Sequence, residues 1–208
     1  YRSQSSFDGD KNVLASNNSN FVKPAPGEAL LVSWDDATTF FHEFGHALHF
    51  FSSDVTYPTL NSGVRDYTEF QSQLLERWLA TDKVINNYLV HNKTGEAMPA
   101  ELVAKIKKAS TFNQGFSTTE YLASAIMDMK LHLADPATID IDKFERETLV
   151  EMNMPKELPM RHRTPHFGHV FSGEGYATAY YGYMWADVLT PDASEAFAEA
   201  PNGFYDKE

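Results

Sequence analysis

The stretch Phe40-Phe41-His42-Glu43-Phe44-Gly45-His46-Ala47-Leu48-His49 decides the reading of this chain. It contains His-Glu-x-x-His. On an α-helix, residues four apart project from one face about one turn apart, so the His42 and His46 imidazoles can grip one metal ion. Glu43 follows the first histidine directly, which places a carboxylate beside the position such a metal leaves open for water. The same five residues also occur by chance on helices whose histidines are plain surface groups, so the flanks matter. Asp35-Asp36-Ala37-Thr38 reads as an N-cap and acidic first turn. Phe40, Phe41, Phe44, Ala47, Leu48 and Phe51 supply an apolar side. A partly buried helix over about 36–52 is expected.

Composition narrows the chemistry. With 208 residues the chain can bury a real core. Its 42% hydrophobic and 22% charged content is ordinary for a globular protein and argues against disorder. A formal net charge of −12 with no basic patch disfavours nucleic acid and anionic membrane as partners. No apolar run approaches the roughly 20 residues of a membrane helix. Cysteine is absent, so disulfides, thiolate metal sites and cysteine nucleophiles are excluded, and any metal must use His, Asp or Glu.

Outward from the motif, residues 1–18 read as loop. Residues 20–23 and 29–34 read as short strands separated by Pro24-Ala25-Pro26-Gly27. After a loop marked by Pro58, Asn61 and Gly63, a second helix is expected over about 65–80, with Phe70, Leu74, Leu75 and Trp78 as its apolar side. Shorter helices are expected near 82–91, 99–111, 117–134 and 142–153. A proline-bearing loop holding Arg161, His162, Arg163 and His166 follows, and then a final helix from near Gly175 to Val188 or beyond. The fold class is mainly α with a small β element before the motif helix.

A catalytic zinc takes three protein ligands and leaves one position for water. A metzincin-type extension needs Gly at 49 and His at 52, where this chain has His49 and Ser52. Three ligands along one straight helix cannot converge on an ion at about 2 Å, so His49 reads as a core or supporting histidine. The next helix offers Asp66, Glu69 and Glu76. Glu69, Gln73 and Glu76 form one stripe, and spacing alone leaves Glu69 and Glu76 tied, with the shorter Asp66 behind.

A second rich region runs from His166 to Trp185. Tyr176, Tyr180 and Tyr183 are spaced i, i+4, i+7 and are expected on one helix face. An aromatic packing stripe is the plain reading. The functional one has phenol hydroxyls donating to an oxyanion. Gly173 and Gly175 suggest a mobile loop that closes on substrate.

These blocks together, His-Glu-Phe-Gly-His-Ala-Leu-His, then Arg65-Asp66-Tyr67-Thr68-Glu69-Phe70-Gln71-Ser72-Gln73, then His169 through Tyr183, resemble the M3 family of zinc peptidases over about residues 20–204. The resemblance implies one Zn2+ held by His42, His46 and Glu69, with Glu43 as general base. It implies that Tyr183 and Tyr180 stabilise the transition state and that His169 and Tyr176 contact substrate. Glu76 becomes a supporting carboxylate. Gln71 stands where the family usually has Pro. The implied fold is the zincin-like catalytic portion of a two-lobed peptidase, with residues 1–208 a single catalytic region of a longer protein.

The implied activity is hydrolysis of short peptides, and the Glu69 and Ser-Gly-Glu-Gly-Tyr blocks lean toward the branch that releases C-terminal dipeptides. Arg161, His162, Arg163 and His166 are then candidates to hold a free carboxylate, against the plain reading of a solvated basic loop. Internal cleavage is the alternative, and an inactive zincin-like binding or structural piece is the rival of another class. A monomer is expected, in the cytoplasm, with the periplasm as alternative.

Overall fold

Ser33 begins the element that matters most. Its hydroxyl accepts the Asp36 backbone N–H while the Asp36 carboxylate accepts the Ser33 N–H, a complete capping box that starts helix α1, Trp34–Phe51. The N-cap is thus two residues earlier than the expected Asp35, and both acids sit in the first turn, where they complement the helix dipole.

In this computed structural model, residues 2–7, 9, 12–61 and 63–207 are described; parts of the 1–18 loop (residues 1, 8, 10 and 11) lie outside them. After α1 come α2 (Phe70–Leu79), α3 (Asp82–Asn87), α4 (Ala100–Ala109), α5 (Gln114–Leu133), α6 (Ile141–Glu151), α7 (Gly168–Phe171) and α8 (Gly182–Glu199). The fold is mainly helical. No helix among the described residues is long and apolar enough to cross a membrane.

The small β element expected before α1 does not form. Residues 20–23 and 29–33 are irregular, and Trp34 already belongs to α1. The bridges among the described residues are isolated pairs elsewhere, Arg2 with Leu14, Phe7 with Gly9 and Val90 with Ala97. Val22 and Val32 have β-prone side chains, but a strand exists only through its ladder, and neither stretch has one here.

The chain divides into two compact units, Tyr1–Val103 with Met184–Glu208, and Ala104–Tyr183. In the first, α1 packs against α2. The two backbones meet at Gly45: a Cβ there would lie 2.5 Å from Ser72 Cα and 2.6 Å from the Gln71 carbonyl oxygen. Ser72 is fully buried at this crossing. The far end of α2 is clasped by the chain's last residues. Trp78 packs edge-on against Phe197 and Phe204 at 5.0 and 4.9 Å, and its Nε1 donates to the Phe204 carbonyl at 3.0 Å. Arg77 donates to the hydroxyl of buried Thr190. The expected helix over 65–80 opens as a 3-10 turn, Arg65–Tyr67, before α2 proper begins.

In the second unit Ala123, Met127 and Leu131 of α5 form a core with Met160, joined by Phe144 and Leu149 of α6. Buried Glu145 accepts the Thr164 N–H and hydroxyl and pairs with Arg163 Nε at 2.6 Å, tying the proline-bearing loop to α6.

Candidate metal centre and tyrosine cluster

His42 and His46 project from one face of α1, with ring centroids 5.0 Å apart. Glu69, at the N-cap position of α2, is only 2% exposed. Its Oε2 lies 3.1 Å from His42 Nε2 and 3.3 Å from His46 Nε2. One ligand atom from each of these three residues falls within 4.8 Å of the others. A nearly dry carboxylate oxygen aimed at two imidazole nitrogens offers two nitrogens and one oxygen, a combination that a zinc ion with an open position can take, so the residues present fit that ion. The same Oε2 accepts the Ser72 hydroxyl at 2.9 Å, which fixes the carboxylate's orientation.

The carboxylates that spacing left tied are separated by burial and by the nitrogen each meets. Glu76 lies on the other side of His42, with Oε1 2.7 Å from Nδ1. An Nδ1–H bound to Glu76 leaves Nε2 as the nitrogen that can hold a metal. Burial alone would lower the His42 pKa. The hydrogen bonds with Glu69 and Glu76 outweigh it and hold the imidazolium up to about 9. Asp66 is exposed on its 3-10 turn. His49 stacks on Phe50 at 5.9 Å and stands outside the cluster; burial and then the His46 charge lower its pKa, favouring the neutral ring. Glu43 follows His42 on α1, half-buried.

The tyrosine region corrects the expectation of a helix from Gly175. α8 begins only at Gly182, and residues 172–181 are bends and turns. Thr178 has φ of +60°, a left-handed conformation that costs a β-branched residue about 1–2 kcal/mol and cannot continue a helix. The aromatic rings nevertheless gather. Tyr176 stacks on Tyr183 at 5.5 Å, and Tyr180 meets Tyr183 edge-on at 5.5 Å. His169, on the short α7, lies 4.3 Å from the Tyr176 ring, and its Nε2 is 2.8 Å from the Tyr183 hydroxyl. Burial pushes the Tyr180 phenol above its ordinary value; nearby Arg161 opposes the shift and Glu120 adds to it. The phenol therefore stays a proton donor at neutral pH.

Of the basic candidates, Arg163 is engaged by Glu145 and by Asp142 at 2.5 Å, and His162 stacks on Phe167 at 4.8 Å. Arg161 is 65% exposed and only 3.7 Å from Glu120 at its nearest.

Two further positions shape these sites. Gly45 lies inside the motif helix, and a glycine in a helix interior is itself a signal of close backbone approach. Asp128 interrupts the apolar run Ala125-Ile126-Met127-Asp128-Met129, where a lone acid on a core helix signals a buried acceptor with donors to satisfy.

The family description "Peptidase family M3" matches residues 3–207. The dipeptidyl carboxypeptidase of Escherichia coli K12 is 42% identical over 185 residues, 86% of this chain and 27% of that protein. The dipeptidyl carboxypeptidase of Salmonella typhimurium is 39% identical over 186 residues, again 86% and 27%. Oligopeptidase A of Escherichia coli K12 is 34% identical over 198 residues, 91% of this chain and 28% of that protein. The chain thus spans about a quarter of the length of these curated relatives.

Proposed function

Because the chain belongs to peptidase family M3, we propose that it carries the zincin-like hydrolytic centre of a peptidase that removes C-terminal dipeptides from short peptides. The observation that carries this is the buried Glu69 oxygen turned toward both motif histidines, in a chain whose more similar relatives bear the name dipeptidyl carboxypeptidase.

His42, His46 and Glu69 are the proposed zinc ligands. Zinc bound there supplies Lewis acidity, polarising a carbonyl and making water nucleophilic near neutral pH. Ser72 and Glu76 hold two of the three ligands in register before any ion arrives. The Glu43 carboxylate takes a proton from the attacking water and returns it to the leaving amine. Tyr180 and Tyr183 are proposed to donate hydrogen bonds to the substrate oxygen as charge develops on it, with His169 and Tyr176 contacting the peptide. Support comes from their common cluster and from the protonated state of Tyr180.

The test uses the full-length protein, a ten-residue peptide and mass spectrometry. Successive losses of C-terminal dipeptides are expected. A single internal cut assigns the chain instead to the oligopeptidase type that the 34% identical relative represents. Glu43→Gln should hold zinc yet lose nearly all turnover; full activity in that variant removes Glu43 as base.

A further inference from the structure

Asp128 sits in the C-terminal half of α5, 1% exposed, among the apolar residues of its unit's core. A carboxylate this dry must be satisfied by donors. Its Oδ1 accepts the Thr178 backbone N–H at 2.9 Å, its Oδ2 accepts the Tyr180 backbone N–H at 3.1 Å, and His132 Nδ1 lies 2.9 Å from Oδ1. The His132 ring is itself pinned by stacking on Phe171 at 5.5 Å. Two turns earlier on α5, the Tyr121 hydroxyl donates to the Tyr180 carbonyl. Both backbone groups of Tyr180 are therefore held by a single rigid helix.

The two amides that Asp128 accepts flank the one kink that shapes the tyrosine cluster. Thr178 is left-handed, and this reversal falls in the turn between Tyr176 and Tyr180, whose rings both meet Tyr183. A threonine does not hold this conformation unaided. A buried anion that takes the N–H of the kinked residue and of the residue two positions on supplies what local preference withholds.

We propose that Asp128 is a positioning residue for peptide hydrolysis: it locks Thr178 in the left-handed conformation and thereby sets Tyr176, Tyr180, Tyr183 and His169 in one constellation. This rests on the proposed substrate role of those tyrosines. Asp128 itself touches no substrate; it acts through the backbone of Thr178 and Tyr180.

The test labels the full-length, zinc-loaded protein with 3-fluorotyrosine and assigns the Tyr176, Tyr180 and Tyr183 resonances by single Phe substitutions. It compares Asp128→Asn, Thr178→Gly and the double variant. In Asp128→Asn the three resonances are expected to move while those of Tyr57, Tyr67 and Tyr205 stay, zinc content is unchanged, and kcat/KM falls between about tenfold and a hundredfold. Glycine adopts positive φ without strain, so the double variant should return the resonances toward wild type and regain about fivefold or more in kcat/KM. Thr178→Gly alone should raise Tm.

Unmoved resonances in Asp128→Asn, or a double variant no better than the single one, overturn the proposal. If Asp128→Asn does not fold, the double variant decides: recovery of folded protein with wild-type resonances supports the proposal, and failure to recover it overturns it. Resonances that move and are restored while kcat/KM stays constant would show that the tyrosines serve no substrate. That result sinks the functional reading of the cluster and this proposal with it.

Discussion

Glu76 Oε1 lies 2.7 Å from His42 Nδ1, on the side of the ring opposite Glu69. His42 is thereby held between two carboxylates with different tasks. The buried one faces the nitrogen proposed to meet the metal, and the partly exposed one meets the other ring nitrogen and fixes the tautomer. Removing the second should loosen the ring without deleting a ligand. Glu76→Leu is expected to weaken zinc binding about 10–100-fold, measured against a competing chelator. Glu76→Gln, which keeps an acceptor oxygen, should lose less. Equal loss in both variants would mean that charge, and not ring orientation, is what Glu76 contributes.

The same arrangement predicts a pH signature. In the metal-free chain the two carboxylates hold His42 protonated up to about 9, against 6.5 for the ordinary side chain. Because the folded pKa is the higher one, this stabilisation is fully present below about pH 6.5 and is lost as pH rises through about 9. The melting temperature of metal-free protein should therefore decline across that window. Zinc must displace this proton, so affinity should rise with pH until about 9, and uptake at pH 7.5 should release close to one proton from His42. Calorimetry in two buffers of different ionisation enthalpy reads the proton count. A pH-independent affinity between 7 and 9 would contradict the assignment.

Gly45 sets how closely α1 and α2, which carry the proposed metal ligands, approach each other. A methyl group there would meet backbone, Ser72 Cα at 2.5 Å and the Gln71 oxygen at 2.6 Å, and backbone cannot rotate aside. Gly45→Ala should push α2 from α1, cost about 1–3 kcal/mol of stability, and lower zinc affinity because Glu69 moves with α2. Gly115, inside α5, has open space where a Cβ would go. Gly115→Ala should be neutral or stabilise by about 0.5–1 kcal/mol. Urea denaturation of the two variants makes the comparison, and similar costs at both sites would rule out the packing argument.

What the sequence made legible was local. The shared face of His42 and His46 follows from helix periodicity, and Ser33 with Asp36 forms a capping box that starts two residues before Asp35. What remained hidden depended on contacts between segments. Glu69 and Glu76 share a helix stripe, and only the packing of α2 on α1 decides which is buried against Nε2 and which meets Nδ1. The tyrosine spacing satisfied a helical period, yet the backbone there is kinked because Asp128, some 50 positions away in sequence, accepts the Thr178 and Tyr180 amides. Val22 and Val32 are β-branched residues suited to strands, but composition cannot provide a neighbour to pair with.

Arg161 and Arg163 are two residues apart and should behave as different kinds of residue. Arg163 pairs with buried Glu145 and with Asp142, so its charge is already committed to the fold. Arg161 is largely exposed, weakly paired at 3.7 Å, and close enough to Tyr180 to act on its phenol. An enzyme that releases C-terminal dipeptides must distinguish a free carboxylate from an internal peptide bond, and an available guanidinium does so by a charge-assisted hydrogen bond. Arg161→Gln should therefore raise KM about tenfold for a peptide with a free C-terminus and leave the poor hydrolysis of its amidated counterpart unchanged. Arg163→Gln should strand the Glu145 carboxylate and cost about 1–3 kcal/mol of stability, while the preference for the free over the amidated peptide persists. If Arg163→Gln abolishes that preference and Arg161→Gln does not, the carboxylate is held by the residue the fold had already engaged, and the assignment of Arg161 fails.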